Sequence, residues 1–174
     1  MVVGVMRQSW KRAPNNIKDK SSVWIALDRV RDPGNLGTII RTADSAGAEG
    51  IILVGETTDP FSLEATRASM GSIFNVPLVR MDEEEFLKWR ISWDGMVVGT
   101  HLEGATDFRT IDYQSQPVLL LMGNEQQGLP DDLAATCDKL ALIPMHGAAD
   151  SLNLAIATGV MLFHMGKKLP AVEG

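Results

Sequence analysis

An α/β domain, with a mostly parallel sheet flanked by helices, is what the sequence predicts, and three observations predict it. Short apolar runs rich in Val, Ile and Leu recur from residue 23 onward. They are continuous rather than alternating, as expected of strands buried on both faces. Segments of helical period lie between them, giving the alternation of a parallel sheet with helical crossovers.

Strands are predicted at Val23–Asp28 (VWIALD), Gly50–Val54, Val76–Val79, Met96–Thr100, Val118–Met122 and Leu140–Ile143. Helices are predicted over about 35–47, 61–71, 82–90, 131–137 and 151–166. Asp32-Pro33-Gly34-Asn35 reads as a turn, followed at once by Leu36, Ile39, Ile40 and Ala43 at helical spacing. Asn35 is a candidate N-cap for that helix and Gly47 a candidate C-cap. The acid run Asp82-Glu83-Glu84-Glu85 suits the positive end of a helix dipole.

The last helix, SLNLAIATGVMLFHMG, is apolar on almost every face. Such a helix is buried on all sides. At the end of a short chain its free face needs cover, so a homodimer is expected.

The chain has 174 residues, which fits one domain. Residues 1–22 read as a basic linker or tail, 23–168 as the folded domain and 169–174 as a C-terminal tail. Apolar residues make up 45% and charged residues 22%, the balance of a globular protein. No apolar run is long enough for a membrane span, and the start does not read as a signal peptide. The single Cys137 excludes an intrachain disulfide and suits a reducing cytoplasm.

A net charge of −6 excludes a uniformly basic nucleic-acid binder. It hides an asymmetry: residues 1–41 carry eight bases and three acids, net +5, and the remainder is net −11. Any polyanion is thereby directed to the N-terminal part.

The common fingerprints are absent. There is no G-x-G-x-x-G after the first strand, no P-loop and no G-x-S-x-G elbow. His101, His146 and His164 lack metal-ligand spacing, so no metal is expected. Three segments remain where α/β proteins bind ligands, past the carboxyl ends of strands. The first runs from Asp32 to Arg41. The second, Met122 to Pro130, offers Glu125 between two glycines that allow close backbone approach. The third, Ile143 to Asn153, leads into a helix N-terminus for which Asp150 or Ser151 is the candidate cap.

In this order and spacing the three loops closely resemble the SpoU/TrmH ribose 2′-O-methyltransferases of the SPOUT superfamily. Asn35, Gly37 and Arg41 match that family's N-x-G-x-x-x-R motif. Gly123, Glu125 and Gly128 match G-x-E-x-x-G, and Ile143-Pro144-Met145 with Ser151-Leu152-Asn153 match I-P-M…S-L-N. Arg67-Ala68-Ser69-Met70-Gly71 is similar to a further stretch, R-A-S-x-G, of many members. The resemblance covers roughly residues 21–166.

It implies transfer of a methyl group from S-adenosylmethionine to a ribose 2′-hydroxyl of rRNA or tRNA. It also implies a C-terminal deep trefoil knot, which topological rules alone would not propose. Thr100, Gly123, Gly128, Ile143, Met145 and Leu152 are the implied cofactor-binding positions, the last three aliphatic ones enclosing the adenine. Arg41 is the implied catalytic group, with Asn35, Glu125, Ser151 and Asn153 positioning Arg41, the cofactor and the ribose. The family's working site forms at a dimer interface, which agrees with the apolar last helix.

There are two departures. Many members read S-L-N-V-S-V-A where this chain has Ala155, so one hydroxyl is lost. Many relatives also carry an N-terminal RNA-recognition domain; the sequence reads either as a minimal enzyme or, the favoured expectation, as the catalytic part of a longer protein. The competing reading is a non-catalytic RNA- or nucleotide-binding module that keeps the fold.

Overall fold

The computed structural model describes residues 5, 7–102 and 105–166. Seven strands form one sheet in the order β3-β2-β1-β6-β4-β7-β5, every neighbouring pair parallel. β1 (Val23–Asp28), β2 (Gly50–Val54), β4 (Met96–Thr100) and β6 (Val118–Met122) have the predicted bounds. All residues of β1, β2 and β6 are buried, which is why their apolar runs are unbroken.

Successive side chains of each strand feed two cores. Val23, Ile25 and Leu27 pack with Ile51, Leu53, Val98 and Leu120 beneath α1 (Pro33–Ala46) and α5 (Leu154–Met165). Trp24 and Ala26 pack with Ile52, Val54, Val97, Leu119 and Leu121 on the opposite face. There Phe86 of α3 (Glu83–Ile91) and Leu133 of α4 (Asp131–Ala134) close the layer.

The ends of several elements differ from expectation for local reasons. β3 is Leu78–Met81 rather than 76–79, because Pro77 has no N–H to give the ladder. β7 is Lys139–Leu142, one residue earlier than expected, and Pro144 follows shortly. α2 (Leu63–Ala68) is shorter than predicted, since Met70 and Gly71 take φ values of +50° and +92°. β5 (Thr106–Asp107) was not predicted: two polar residues pair with Ala141 and Leu142 at the sheet edge and carry no apolar signal.

The expected cap of α1 is corrected. Asp32, not Asn35, is the N-cap; its side chain accepts the Asn35 N–H at 2.6 Å, and Pro33 begins the helix. The residues read as a turn are therefore its first turn. Gly47 ends the helix at φ +72°, as expected. Replacing Asp32 with Ala should cost about 1 kcal/mol, seen as a melting point lower by about 2–4 °C.

The cap of α5 is corrected likewise. Neither Asp150 nor Ser151 serves; Asn153 accepts the N–H groups of Ala155 and Ile156 at 2.9 and 3.3 Å. Leu154, Thr158, Met161, Leu162 and Met165 of α5 face inward. Ile156 (55% exposed), Val160 and Phe163 (59%) form an outward apolar stripe.

Residues 7–22 have no regular secondary structure except a turn before β1, yet they are docked. Trp10 packs edge-on against Phe61 with ring centroids 5.3 Å apart. The Lys11 N–H donates to the Leu78 carbonyl at 2.8 Å, along the edge of β3. Beyond that edge, Trp89 donates to the Pro14 carbonyl at 3.1 Å, and Ala13 and Ile17 join the second core. The tail 169–174 lies outside the described residues.

Candidate functional site

The carboxyl ends of β4, β6 and β7 open into a cavity of about 710 Å³, a volume suited to a cofactor-sized ligand. Thr100 ends β4, Gly123 follows β6, and Ile143 and Met145 follow β7. Ser151, Leu152 and Asn153 complete the wall ahead of α5, and Asn35 reaches it from α1. Gly128, Leu129 and Glu125 come from the loop after β6. Ten of the eleven residues singled out in the sequence thus face one space.

That loop is folded back tightly. Asn124, mostly buried, accepts the N–H groups of Gln126 and Gln127 at 3.0 and 2.7 Å through its side chain. The Gly128 N–H donates to the Asn124 carbonyl at 3.1 Å, and Gly128 takes φ +68°. A Cβ on Gly123 would fall on the backbone of Gly128 and Leu129. Both glycines are therefore required by the backbone itself. Asn124 was not singled out in the sequence, although an Asn beside Gly in a loop is a signal for such a side-chain-closed turn.

A directed chain of hydrogen bonds joins the three loops. The Asn35 side-chain amide donates to Glu125 Oε1 at 3.2 Å, and Asn153 Nδ2 donates to Asn35 Oδ1 at 3.0 Å. Glu125 also accepts the N–H groups of Asp32 (3.3 Å) and Arg31 (3.5 Å). A carboxylate accepts only, so Asn35 presents its NH₂ to Glu125 and its oxygen to Asn153. Asn153 in turn keeps its own oxygen for the first amides of α5. Residues 35, 125 and 153 thus fix one another, and with them the mouth of the cavity.

The remaining predicted residue, Arg41, does not line this cavity. It lies six residues beyond Asn35 on α1, about 9 Å along the helix and about 120° round it. Its side chain is exposed and makes no hydrogen bond or ion pair among the described residues. Gly37 of the same motif has a packing role. A Cβ there would press against the Ala65 carbonyl and lie 2.6 Å from Ala68 Cβ, so α1 and α2 cross at this point.

Apolar walls and short polar loops make the cavity a fit for an adenosine-bearing cofactor. Ile143, Met145, Leu152 and Leu129 supply aliphatic contact, and backbone groups of the 123–128 loop supply polar contact. His101 and Leu102 also line it. Among the described residues no group of His, Cys, Asp or Glu is arranged to hold a metal ion, and no helix is long and apolar enough to cross a membrane. Nearby Cys137 is no nucleophile, because burial pushes its thiol up to about 12.

Comparison with known proteins bears on this geometry. The model of the SpoU rRNA Methylase family matches residues 22–163. The chain is 36% identical over 141 residues to the 23S rRNA (guanosine(2553)-2'-O)-methyltransferase of Bacillus subtilis, covering 81% of this chain and 56% of that one. It is 40% identical over 145 residues to the 23S rRNA (uridine(2479)-2'-O)-methyltransferase of Streptomyces viridochromogenes, covering 80% and 50%. Among solved structures, an AdoMet-bound rRNA methyltransferase from Sinorhizobium meliloti superimposes with a TM-score of 0.84 and 61% identity. That match covers 89% of this chain and 60% of the other. The chain spans between half and three fifths of these relatives' lengths.

Proposed function

Because the chain belongs to the SpoU rRNA Methylase family, we propose that it methylates a ribose 2′-hydroxyl of ribosomal or transfer RNA, using S-adenosylmethionine. The observation that carries this reading is the convergence of three loops on one cavity, locked by the Asn35–Glu125–Asn153 chain. When bound, the cofactor's sulfonium supplies an already activated methyl group. The protein's task is then mainly alignment of the ribose oxygen.

Ile143, Met145 and Leu152 enclose the adenine in this reading, while Thr100, Gly123 and Gly128 meet the rest of the cofactor largely through backbone. Asn35, Glu125, Ser151 and Asn153 hold the mouth at which the ribose arrives. Arg41 orients the ribose and its neighbouring phosphate. Orientation and electrostatics suit it better than proton abstraction, because a guanidinium does not give up its proton.

Arg41 stands outside the cavity of its own chain, which favours a site completed between two copies. The exposed stripe Ile156, Val160 and Phe163 is the apolar face such a homodimer covers. We read the C-terminal part as a deep trefoil knot. In its support, the loops 123–128 and 143–153 share one cavity and α5 returns onto α1. A cytoplasmic setting agrees with the single free Cys137.

Calorimetric titration with S-adenosylmethionine, followed by radiolabelled methyl transfer to RNA from cells lacking the gene, tests the reading. Binding with transfer supports it. Binding without transfer to any RNA would instead leave a non-catalytic module. The double substitution Ile156→Glu with Phe163→Glu should convert the dimer to a monomer in sedimentation equilibrium and abolish transfer. A variant that sediments as a dimer would refute that interface.

A further inference from the structure

Met70 has no explanation inside the fold. It adopts φ +50°, where Gly is at ease and Met is strained, and its side chain is 71% exposed. The turn around it is firmly built. The Met70 N–H donates to the Arg67 carbonyl at 3.2 Å, and buried Ser69 donates its hydroxyl to Thr66 at 2.8 Å. Phe74, in the 3-10 turn that follows, is 63% exposed, and Arg67, on the last turn of α2, is exposed as well.

Helix crossing brings Arg41 to the same flank. Gly37 of α1 abuts Ala65 and Ala68, and Asp44, two turns on, accepts from Asn75 at 3.1 Å. Arg41 lies between these two contacts, one turn from Gly37 and about 40° round the helix from it, on the flank that α1 turns toward α2 and the segment after it. Asp44 is turned to Ser72 and Asn75, whose hydrogen bonds hold its carboxyl below the usual range. Trp10 of the docked N-terminal segment sits against Phe61, at the entrance to α2.

We propose that this surface, Arg67, Met70 and Phe74 beside Arg41, is where single-stranded RNA flanking the target nucleotide lies. An unpaired base rests on Met70 and Phe74 while Arg67 meets a phosphate. Exposed apolar and aromatic groups among cations are what unstacked bases and their backbone require. Charge selects the occupant: Arg41 and Arg67 are both exposed, and the basic N-terminal segment docks through Trp10 on Phe61, just ahead of α2. The face for a second copy is the apolar stripe of α5, Ile156, Val160 and Phe163, whereas this flank sets a cation beside its apolar groups, which suits a polyanion with bases. The proposal rests on the methyltransferase reading only for the position of the target ribose.

The test uses anisotropy of a labelled single-stranded RNA of about 12 nucleotides, titrated against the full chain at several salt concentrations. Met70→Gly suits the backbone, so its melting point should hold or rise while RNA affinity falls by about threefold to tenfold, the loss of one partly covered apolar side chain against a base. Arg67→Ala should lower the slope of log affinity against log salt by about 0.7. Binding of S-adenosylmethionine should be unchanged in both. RNA affinity and slope unchanged in both variants would overturn the proposal, as would a change in dimer sedimentation with RNA binding intact. Wild-type chain that binds this RNA through the surface, yet methylates none, would sink the catalytic reading and leave this one standing.

Discussion

Gly123→Ala should abolish cofactor binding, raising the dissociation constant at least about a hundredfold, or about 2.7 kcal/mol. The added methyl would fall on the backbone of Gly128 and Leu129, where no side-chain rotation makes room. The 123–128 loop must then open, which dismantles the wall made by Gly128, Leu129 and Glu125. Overpacking of this kind costs about 1–3 kcal/mol or more in stability as well. Gly147→Ala is the matched control, because a Cβ there meets nothing within 4 Å. Calorimetric titration of both variants checks the pair; normal binding by Gly123→Ala would refute the tight-loop account.

Arg41→Ala should leave cofactor binding near normal yet lower methyl transfer by about 10²–10³-fold, the usual loss when one oriented charge donor is removed. The side chain is exposed, and Ala is a better helix former than Arg, so stability should hold. Arg41→Lys should recover little, since an ammonium cannot reproduce the planar fork of a guanidinium. A radiolabel assay on the true RNA decides it. Unchanged turnover in Arg41→Ala would remove Arg41 from the mechanism.

The sheet was legible wherever strands lie in its interior. β1, β2, β4 and β6 are continuous apolar runs because helices cover both faces, and burial is what an apolar run reports. β5 is two polar residues on an edge, and nothing in Thr106 or Asp107 announces pairing. Helix starts were less legible for a different reason. Asp32 and Asn35 are both good caps, as are Asp150, Ser151 and Asn153, and composition alone does not choose among neighbours.

For the candidate site, the loops were legible through their motifs, whereas the bonds between them were not. Glu125 reads as a carboxylate between glycines, but its partners are Asn35 and the amides of residues 31 and 32, ninety or more positions away. Such pairings depend on how three strand ends meet in space. The basic N-terminal segment posed the same difficulty: Trp10 and Lys11 are anchored by Phe61 and Leu78, which no local pattern foretells.

Position 35 asks for a side chain that donates toward a carboxylate and accepts from an amide across a short gap. Asp there would set charge against Glu125, Ala would strand Asn153, and Gln would carry the amide one methylene too far. A change at any of the three positions is thus tolerable only with a matching change at another. Lineages drifting away from this arrangement face a valley between functional sequences, and in inheritance the three loops behave as a single character.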